Sequence, residues 1–311
     1  MSTRSILRCA LLLVLFASTS AHAQGTLFRA YLASDGSDAN PCTLASPCRL
    51  LPAALTAVLS GGEIWLLDSA NYNTATVTIG KSVSILAVPG AVGSVVAIGG
   101  PAISISASGL VIGLRNLVIV PLPGGGGTAG VEMTGTSALT VENSLVAGHF
   151  SDGFHVAGTG KLKISDTTLR NNNGRAVYLE GGATADIVST RMLGNTVSVW
   201  AESTTATSTT ASVSDSSIAD TNFGVKTLTT VAGGLSRIFL TRSTIHGAGF
   251  ALVAQTLGAG TATVAVSNSM IVNNNYVWYQ DGAGSTIRTF QNNAMSDNAT
   301  AFGSLTSTPL L

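Results

Sequence analysis

The chain has 311 residues, of which only 10% are charged, and its 15 Lys and Arg balance its 15 Asp and Glu. A nucleic-acid-binding protein normally presents a basic face, and this composition argues against that class. The sequence also lacks the polybasic or amphipathic segment that anchors a protein to a membrane surface. Its short β-branched stretches, separated by Gly or Asn, are typical of an all-β protein.

The N-terminus has the pattern of an export signal. Arg4 and Arg8 form a positive start, residues 11–17 are apolar, and Ala-His-Ala at 21–23 provides the small residues that precede a cut. The apolar stretch is too short to cross a bilayer as a mature helix. We therefore expect residues 1–23 to be a signal peptide and the mature chain to be extracellular, periplasmic or at the cell surface, without a transmembrane segment.

Residues 24–62 differ from the rest of the chain and predict an N-terminal cap. Cys42 and Cys48 have five residues between them, and such a pair in an exported chain favours a disulfide over a metal site. Residues 48–59 carry apolar side chains at helical spacing, with Pro52 in the first turn. A stack of repeats follows, and its first coil would otherwise expose unpaired strand edges and apolar side chains. We therefore expect this helix to act as a lid that covers that end of the stack.

The polar turn in the cap carries candidate calcium ligands. Asp35, Asp38 and Asn40 place hard oxygen donors close together in the sequence, which suits calcium. A turn held by hydrogen bonds of the same side chains explains the same residues, and it is the interpretation that we favour. We therefore expect no cofactor, with calcium bound by these three residues as the alternative. The histidines are too scattered to indicate a transition-metal site.

Beyond the cap, the chain repeats a unit of about two dozen residues. In each copy a short apolar stretch precedes a polar anchor residue, and successive anchors are separated by 27, 23, 23, 26, 27, 26 and 24 residues. The anchors are Asn116, Asn143, Asp166, Ser189, Asp215, Arg242, Asn268 and Asn292. This period predicts a solenoid, in which each unit buries its apolar side by stacking on its neighbours.

The repeat is that of a parallel β-helix. Helical repeats need amphipathic helices of ten or more residues, which these Gly- and Ser-interrupted segments do not supply, and the leucine spacing of leucine-rich repeats is missing. We expect about nine or ten coils, with strands about 4.8 Å apart. The Asn clusters at 171–173 and 273–275 suit the bends between strands, where stacked Asn side chains form hydrogen-bonded ladders.

Two parts of the sequence carry a resemblance to a known family. Residues 35–43 with 46–49 are similar to the opening of many bacterial secreted right-handed parallel β-helix proteins of the pectin-lyase-like superfamily, and the repeats from Asn116 to Asn292 match their coils. The resemblance implies an all-β, right-handed parallel β-helix over residues 63–311. It implies no single activity, because the superfamily includes polysaccharide lyases, hydrolases and pectin esterases, and also members with no assigned activity.

The acidic residues show no pattern of a catalytic centre. Hydrolysis of polysaccharides needs paired carboxylates, and calcium-dependent lyases need a base beside a carboxylate-bound ion. The sequence contains no Asp-Asp pair and no Gly-His-Gly, and each repeat holds only one or two acids. We therefore assign no catalytic residue from the sequence.

Strand register nevertheless predicts one clustered face. At residues 153–156, 177–180 and 199–202, alternation places apolar side chains inward and the side chains between them outward. The outward set is His155, Tyr178, Glu180, Trp200 and Glu202, with Lys226 as an extension. Such rings would stack on sugar rings while the carboxylates bind hydroxyls, provided that Tyr178 and Trp200 are exposed. Aromatic residues that only cover the sheet, beside solvated acids, are the alternative.

The same register predicts two further groupings. Asp152 and Arg175 lie 23 residues apart in adjacent coils, where we expect an exposed ion pair worth about 0 to 1 kcal/mol. Tyr276, Trp278 and Tyr279 form a second aromatic cluster near the C-terminus.

Taken together, these patterns favour an exported binding or structural protein whose partner is an extracellular polysaccharide. One alternative is a lyase or hydrolase that acts on acidic polysaccharide. Another is an adhesin or a surface scaffold for other proteins. The sequence leaves the oligomeric state open.

Overall fold

The structure, a computed structural model, describes residues 26–309, and these residues form a parallel β-helix. The predicted signal peptide lies outside the described residues. Each complete coil contributes one strand to each of three sheets, and every strand pairs in parallel with its counterparts in the neighbouring coils. Sheet 1 has twelve strands, and sheets 2 and 3 have ten each, so about nine turns separate the first and last strands of those two sheets. The predicted all-β, right-handed solenoid is confirmed.

The strands follow one another from sheet 1 to sheet 2 to sheet 3 in each coil. Sheet 1 consists of Leu27–Leu32, Val58–Leu66, Val83–Ala87, Val111–Arg115, Ala138–Glu142, Lys161–Ser165, Thr184–Val188, Ser208–Ser214, Leu235–Thr241, Thr261–Ser267, Ser285–Thr289 and Leu305–Ser307. Sheet 2 consists of Ala70–Asn71, Gly93–Ala97, Leu117–Pro121, Leu145–Ala147, Thr168–Arg170, Arg191–Leu193, Ser217–Ala219, Thr244–His246, Met270–Val272 and Ala294–Ser296. Sheet 3 consists of Val77–Thr78, Ile103–Ile105, Val131–Met133, Phe154–Val156, Arg175–Glu180, Val197–Ser203, Phe223–Thr229, Phe250–Thr256, Tyr276–Asp281 and Thr300–Phe302.

The anchor residues of the repeat form the bend between sheets 1 and 2. The seven anchors from Asn116 to Asn268 all have φ between 47° and 57°, the left-handed region in which Asn and Asp are favoured. In the last copy the left-handed residue is Gln291, one position before the predicted anchor Asn292. These bends turn the chain sharply and set the period that the sequence displays.

Asparagine side chains form a hydrogen-bonded ladder at the bend between sheets 2 and 3. The Asn172 amide nitrogen donates to Asn195 Oδ1 at 3.0 Å, and that of Asn274 donates to Asn298 Oδ1 at 2.9 Å. The expected asparagine ladders are thus present, and they satisfy polar groups inside the bend that would otherwise be buried without partners.

The N-terminal cap contains a strand as well as a helix. Leu27–Leu32 pairs with Val58–Leu66, so the cap supplies the first strand of sheet 1, and the second begins before the predicted start of the β-helix at residue 63. Helix α1 spans Leu51–Ala57, because the flanking residues Leu50 and Val58 are extended. It is therefore shorter than the predicted segment 48–59, but it packs against the first strands of sheets 1 and 3, as expected of a lid. Within residues 26–309, no helix is long and apolar enough to span a membrane.

The disulfide between Cys42 and Cys48 is present beside the cap. In the preceding turn, Asp38 Oδ1 accepts the backbone N–H groups of Arg49 and Leu50 at 2.9 and 2.8 Å, and the Asn40 amide donates to the carbonyl of Pro47 at 2.8 Å. These hydrogen bonds are the ones expected if Asp38 and Asn40 stabilise a structural turn. Among residues 26–309, no three His, Cys, Asp or Glu side chains are grouped as a metal site would require.

Candidate functional site

The outer face of sheet 3 brings the predicted cluster together. His155 lies opposite Tyr178, Tyr178 opposite Trp200, and Trp200 opposite Lys226. Two residues further along the strands, at the next outward-facing position, Glu180 pairs with Glu202. Phe154 and Val156 point into the core and are at most 1% exposed. The register deduced from alternation is therefore correct for this face.

Tyr178 does not meet the condition of exposure that sugar stacking requires, because only 8% of this residue is accessible. The His155 ring stacks on it with centroids 4.9 Å apart, and the guanidinium carbon of Arg175 lies 3.8 Å from its centroid. Trp200 is partly exposed, but the Lys226 ammonium lies 4.1 Å from its ring centroid. The ring faces needed for stacking on a sugar are thus largely covered by neighbouring side chains.

The Tyr178 hydroxyl lies between the two glutamates. Its oxygen is 3.0 Å from Glu180 Oε2 and 2.6 Å from Glu202 Oε2, and His155 Nε2 is 3.0 Å from Glu180 Oε1. Burial raises the pKa of Tyr178 well above its usual value, and the hydrogen bond and negative charge of Glu202 add to this effect. The tyrosine therefore remains a neutral donor, which offsets the repulsion between the facing carboxylates.

Asp152 and Arg175 form the predicted ion pair, but it is not exposed. The guanidinium contacts both carboxylate oxygens, with Nε–Oδ1 at 2.6 Å and Nη2–Oδ2 at 2.8 Å, and the Asp152 side chain is only 3% accessible. Asp152 Oδ1 also accepts the backbone N–H of Arg175 at 3.0 Å. The pair therefore ties the bend after sheet 2 to the neighbouring strand of sheet 3.

The predicted C-terminal aromatic cluster forms without Trp278, which packs against the core, and it includes three phenylalanines that were not predicted. Phe250 stacks on Phe223 and on Tyr276, with centroids 5.1 and 4.5 Å apart and rings within 12° of parallel. Tyr279 stacks in turn on Phe302 at 4.9 Å. Because these rings stack on one another, their faces are occupied by their neighbours, and the stack presents ring edges.

A groove on the outer face of sheet 1 was not identified from the sequence. It consists of two adjoining hollows that share Thr140. The polar side chains that line it are Glu63, Ser84, Arg115, Thr140, Glu142, Lys161, Lys163, Thr184 and Asp186. Its floor follows from register, since Ser84, Gly113 and Thr140 are directly paired and are all small. We name this feature the sheet 1 groove.

The two halves of the sheet 1 groove differ in charge. In the first half, Glu142 Oε2 accepts from Arg115 Nε at 2.8 Å, and Glu63 Oε2 accepts from Arg29 Nε at 2.8 Å, so the charges are paired. The second half carries Lys161 and Lys163, both exposed, and neither forms an ion pair with any of residues 26–309. Since Asp186 is the one carboxylate lining this half, its net charge is positive.

Comparison with known proteins supports the fold. Residues 115–218 match the family described as the right-handed β-helix region, and no curated protein sequence matches the chain. An alginate lyase from Paenibacillus sp. str. FPU-7 superposes with a TM-score of 0.65 at 12% identity, over 90% of this chain and 100% of that chain. Pectate lyase Pel9A superposes with a TM-score of 0.57 at 13% identity, over 91% of this chain and 79% of that chain. XylC in complex with xylose superposes with a TM-score of 0.54 at 10% identity, over 90% of this chain and 70% of that chain.

Identities this low show a shared fold and no shared activity. The chain therefore has a right-handed parallel β-helix fold, as its sequence resemblance predicts.

Proposed function

We propose that the protein is exported and binds an acidic polysaccharide along the sheet 1 groove. The observation that carries this proposal is the groove itself, which crosses six adjacent strands of sheet 1 and has two unpaired lysines on the fifth of them. With strands about 4.8 Å apart, six strands span roughly 24 Å along the axis of the solenoid. An elongated polymer fits such a shape better than a compact small molecule does. The disulfide in the cap supports an extracellular location.

Charge selects the class of polymer. Lys161 and Lys163 present flexible ammonium groups, which attract carboxylates without demanding one fixed geometry. Each such exposed contact is worth about 0.2 to 1 kcal/mol and weakens with salt, so binding depends on several contacts along the groove. Two structural relatives are named as lyases of alginate and of pectate, which makes acidic polysaccharides the first ligands to test.

Changing both Lys161 and Lys163 to alanine is expected to weaken binding to polygalacturonate or alginate about tenfold at low salt, because two contacts of about 0.7 kcal/mol each are lost. Affinity electrophoresis at two salt concentrations measures this change, and the parent is expected to lose affinity as salt rises. Arg237→Ala is the matched control, since Arg237 is an exposed cation on the same face that does not line the groove. Equal losses in the control and the double variant would contradict the proposal.

Catalysis on the outer face of sheet 3 is the second candidate function. It is favoured by one observation: His155 contacts Glu180, and Glu180 and Glu202 contact the same hydroxyl oxygen at 3.0 and 2.6 Å. Two acids and a base this close satisfy the proximity that acid–base cleavage of glycosidic bonds requires. If this face is catalytic, the protein releases new reducing ends from a polysaccharide, and Glu202→Gln lowers that rate at least a hundredfold. If no new reducing ends form over a long incubation, catalysis on this face is excluded.

A further inference from the structure

Lys226 is a half-buried amine without a protein partner. Its Nζ lies 4.1 Å from the ring centroid of Trp200 and 5.2 Å from that of Phe223. Burial lowers the pKa of Lys226, and the negative charge of Glu202 partly opposes this effect. No side chain or carbonyl among residues 26–309 accepts a hydrogen bond from this amine, and no carboxylate there forms an ion pair with it. Its N–H groups are therefore available to an external acceptor.

The neighbouring residues Trp200 and Glu202 also have unused hydrogen-bonding capacity. Glu202 Oε2 accepts from Tyr178, whereas its Oε1 receives no donor from the described part of the chain. The indole Nε1 of Trp200 is covered and likewise has no acceptor within residues 26–309. Glu180 differs, because its Oε1 contacts His155 Nε2 and its Oε2 shares the single proton of the Tyr178 hydroxyl with Glu202. The sequence-predicted face thus divides into a satisfied half and an unsatisfied half.

We propose that Trp200, Glu202 and Lys226 form a second binding site, separate from the sheet 1 groove, which takes a neutral sugar residue through two adjacent hydroxyl groups. A hydroxyl oxygen accepts from the Lys226 amine, and the neighbouring hydroxyl donates to Glu202 Oε1. The exposed part of the Trp200 ring contacts the C–H groups of the sugar.

The surrounding charges exclude other ligand classes. A carboxylate or phosphate at this position would face Glu202 and Glu180, which pair with each other in register. A cationic ligand would face Lys226 and Arg175, which both lie against the Trp200 ring, at 4.1 and 5.5 Å from its centroid. A neutral ligand that both donates and accepts hydrogen bonds avoids this repulsion, since it can bond to both the amine and the carboxylate and brings no charge of its own.

Indole N–H signals in NMR spectra of the full chain labelled with ¹⁵N test the proposal. The three tryptophans give separate reporters, and Trp200→Phe identifies the signal of Trp200. The probes are cellohexaose and mannohexaose, which are neutral, and hexagalacturonate, which is acidic. We expect at least one neutral hexamer to shift the Trp200 signal, and Lys226→Met or Glu202→Gln to weaken that binding about tenfold. Hexagalacturonate is expected to leave the Trp200 signal in place.

Trp65 separates this proposal from the proposed function of the sheet 1 groove. Its Nε1 donates to Glu63 at 3.1 Å, and Glu63 lines the groove, so its signal reports on that site. Gln255→Ala, on the same face of sheet 3 but outside the site, is the matched control and is expected to bind as the parent does. The proposal is overturned if neither neutral hexamer shifts the Trp200 signal, if only the acidic hexamer does, or if Lys226→Met binds as tightly as the parent. None of these outcomes depends on whether the Trp65 signal responds.

Discussion

Replacing Asp152 by alanine is expected to destabilise the β-helix by about 3 kcal/mol. The carboxylate is buried and accepts from the Arg175 guanidinium through both oxygens and from the Arg175 backbone N–H. Its removal leaves a half-buried cation and a backbone donor without partners, and breaking a buried ion pair from one side typically costs about 3 to 5 kcal/mol. We take the lower limit, because the Arg175 side chain remains 24% accessible to water.

The chain offers a matched control for this substitution. Asp215 and Arg242 form the same two-point contact, at 2.7 and 2.8 Å, but both side chains are exposed by 40% or more. Arg242→Met breaks this exposed pair and keeps Asp215 at its left-handed position, so it should cost only about 0 to 1 kcal/mol. Urea unfolding followed by circular dichroism measures both effects, and hydrogen exchange should show the Asp152→Ala loss concentrated around Phe154–Val156 and Arg175–Glu180. Equal costs for the two substitutions would mean that burial does not strengthen the pair.

This ion pair also illustrates what the sequence predicts well. A parallel solenoid makes residues one period apart into direct neighbours, so the period alone placed Asp152 beside Arg175 and Tyr178 opposite Trp200. Burial is harder to predict, because it depends on side chains that lean sideways along the sheet. The Arg175 guanidinium covers both Asp152 and the face of Tyr178, and strand alternation does not reveal that.

The sheet 1 groove was missed for a related reason. Its floor depends on Ser84, Gly113 and Thr140 being in register, and the first two lie before the first clear anchor of the repeat at Asn116. In that region the coils differ in length, so the sequence did not align these positions. Small side chains in a column are also an inconspicuous signal, whereas rings such as Tyr178 and Trp200 are easily noticed.

The second large effect concerns His149, which is expected to make the fold sensitive to acid. Its ring is fully buried, with Nδ1 3.0 Å from Asn172 Oδ1, and Nε2 has no partner among residues 26–309. Burial lowers the pKa of His149 below its usual value near 6.5, although the hydrogen bond to Asn172 and the charge of Asp152 partly oppose this effect. Above pH 6.5 the ring is neutral in both the folded and the unfolded chain. Below it, the unfolded chain binds a proton that the folded chain resists, so stability falls as pH falls.

His149→Asn is expected to remove this loss. His149 stands directly before Asn172 and Asn195 in the ladder, where each amide bonds to the next coil, so an asparagine at 149 continues the same pattern. At pH 7 we expect a gain of about 1 kcal/mol, since an unpartnered ring nitrogen is replaced by a hydrogen-bonding amide. The effect is measured by the urea midpoints at pH 7, 6 and 5 of the parent, of His149→Asn and of His246→Asn. The last is the control, because His246 is a partly exposed histidine on sheet 2. The parent and the His246 variant should lose stability over this range, while the His149 variant should hold nearly constant. Parallel losses in all three proteins would place the acid sensitivity elsewhere in the fold. Of the three histidines in residues 26–309, only His149 is fully buried with a ring nitrogen that lacks a partner.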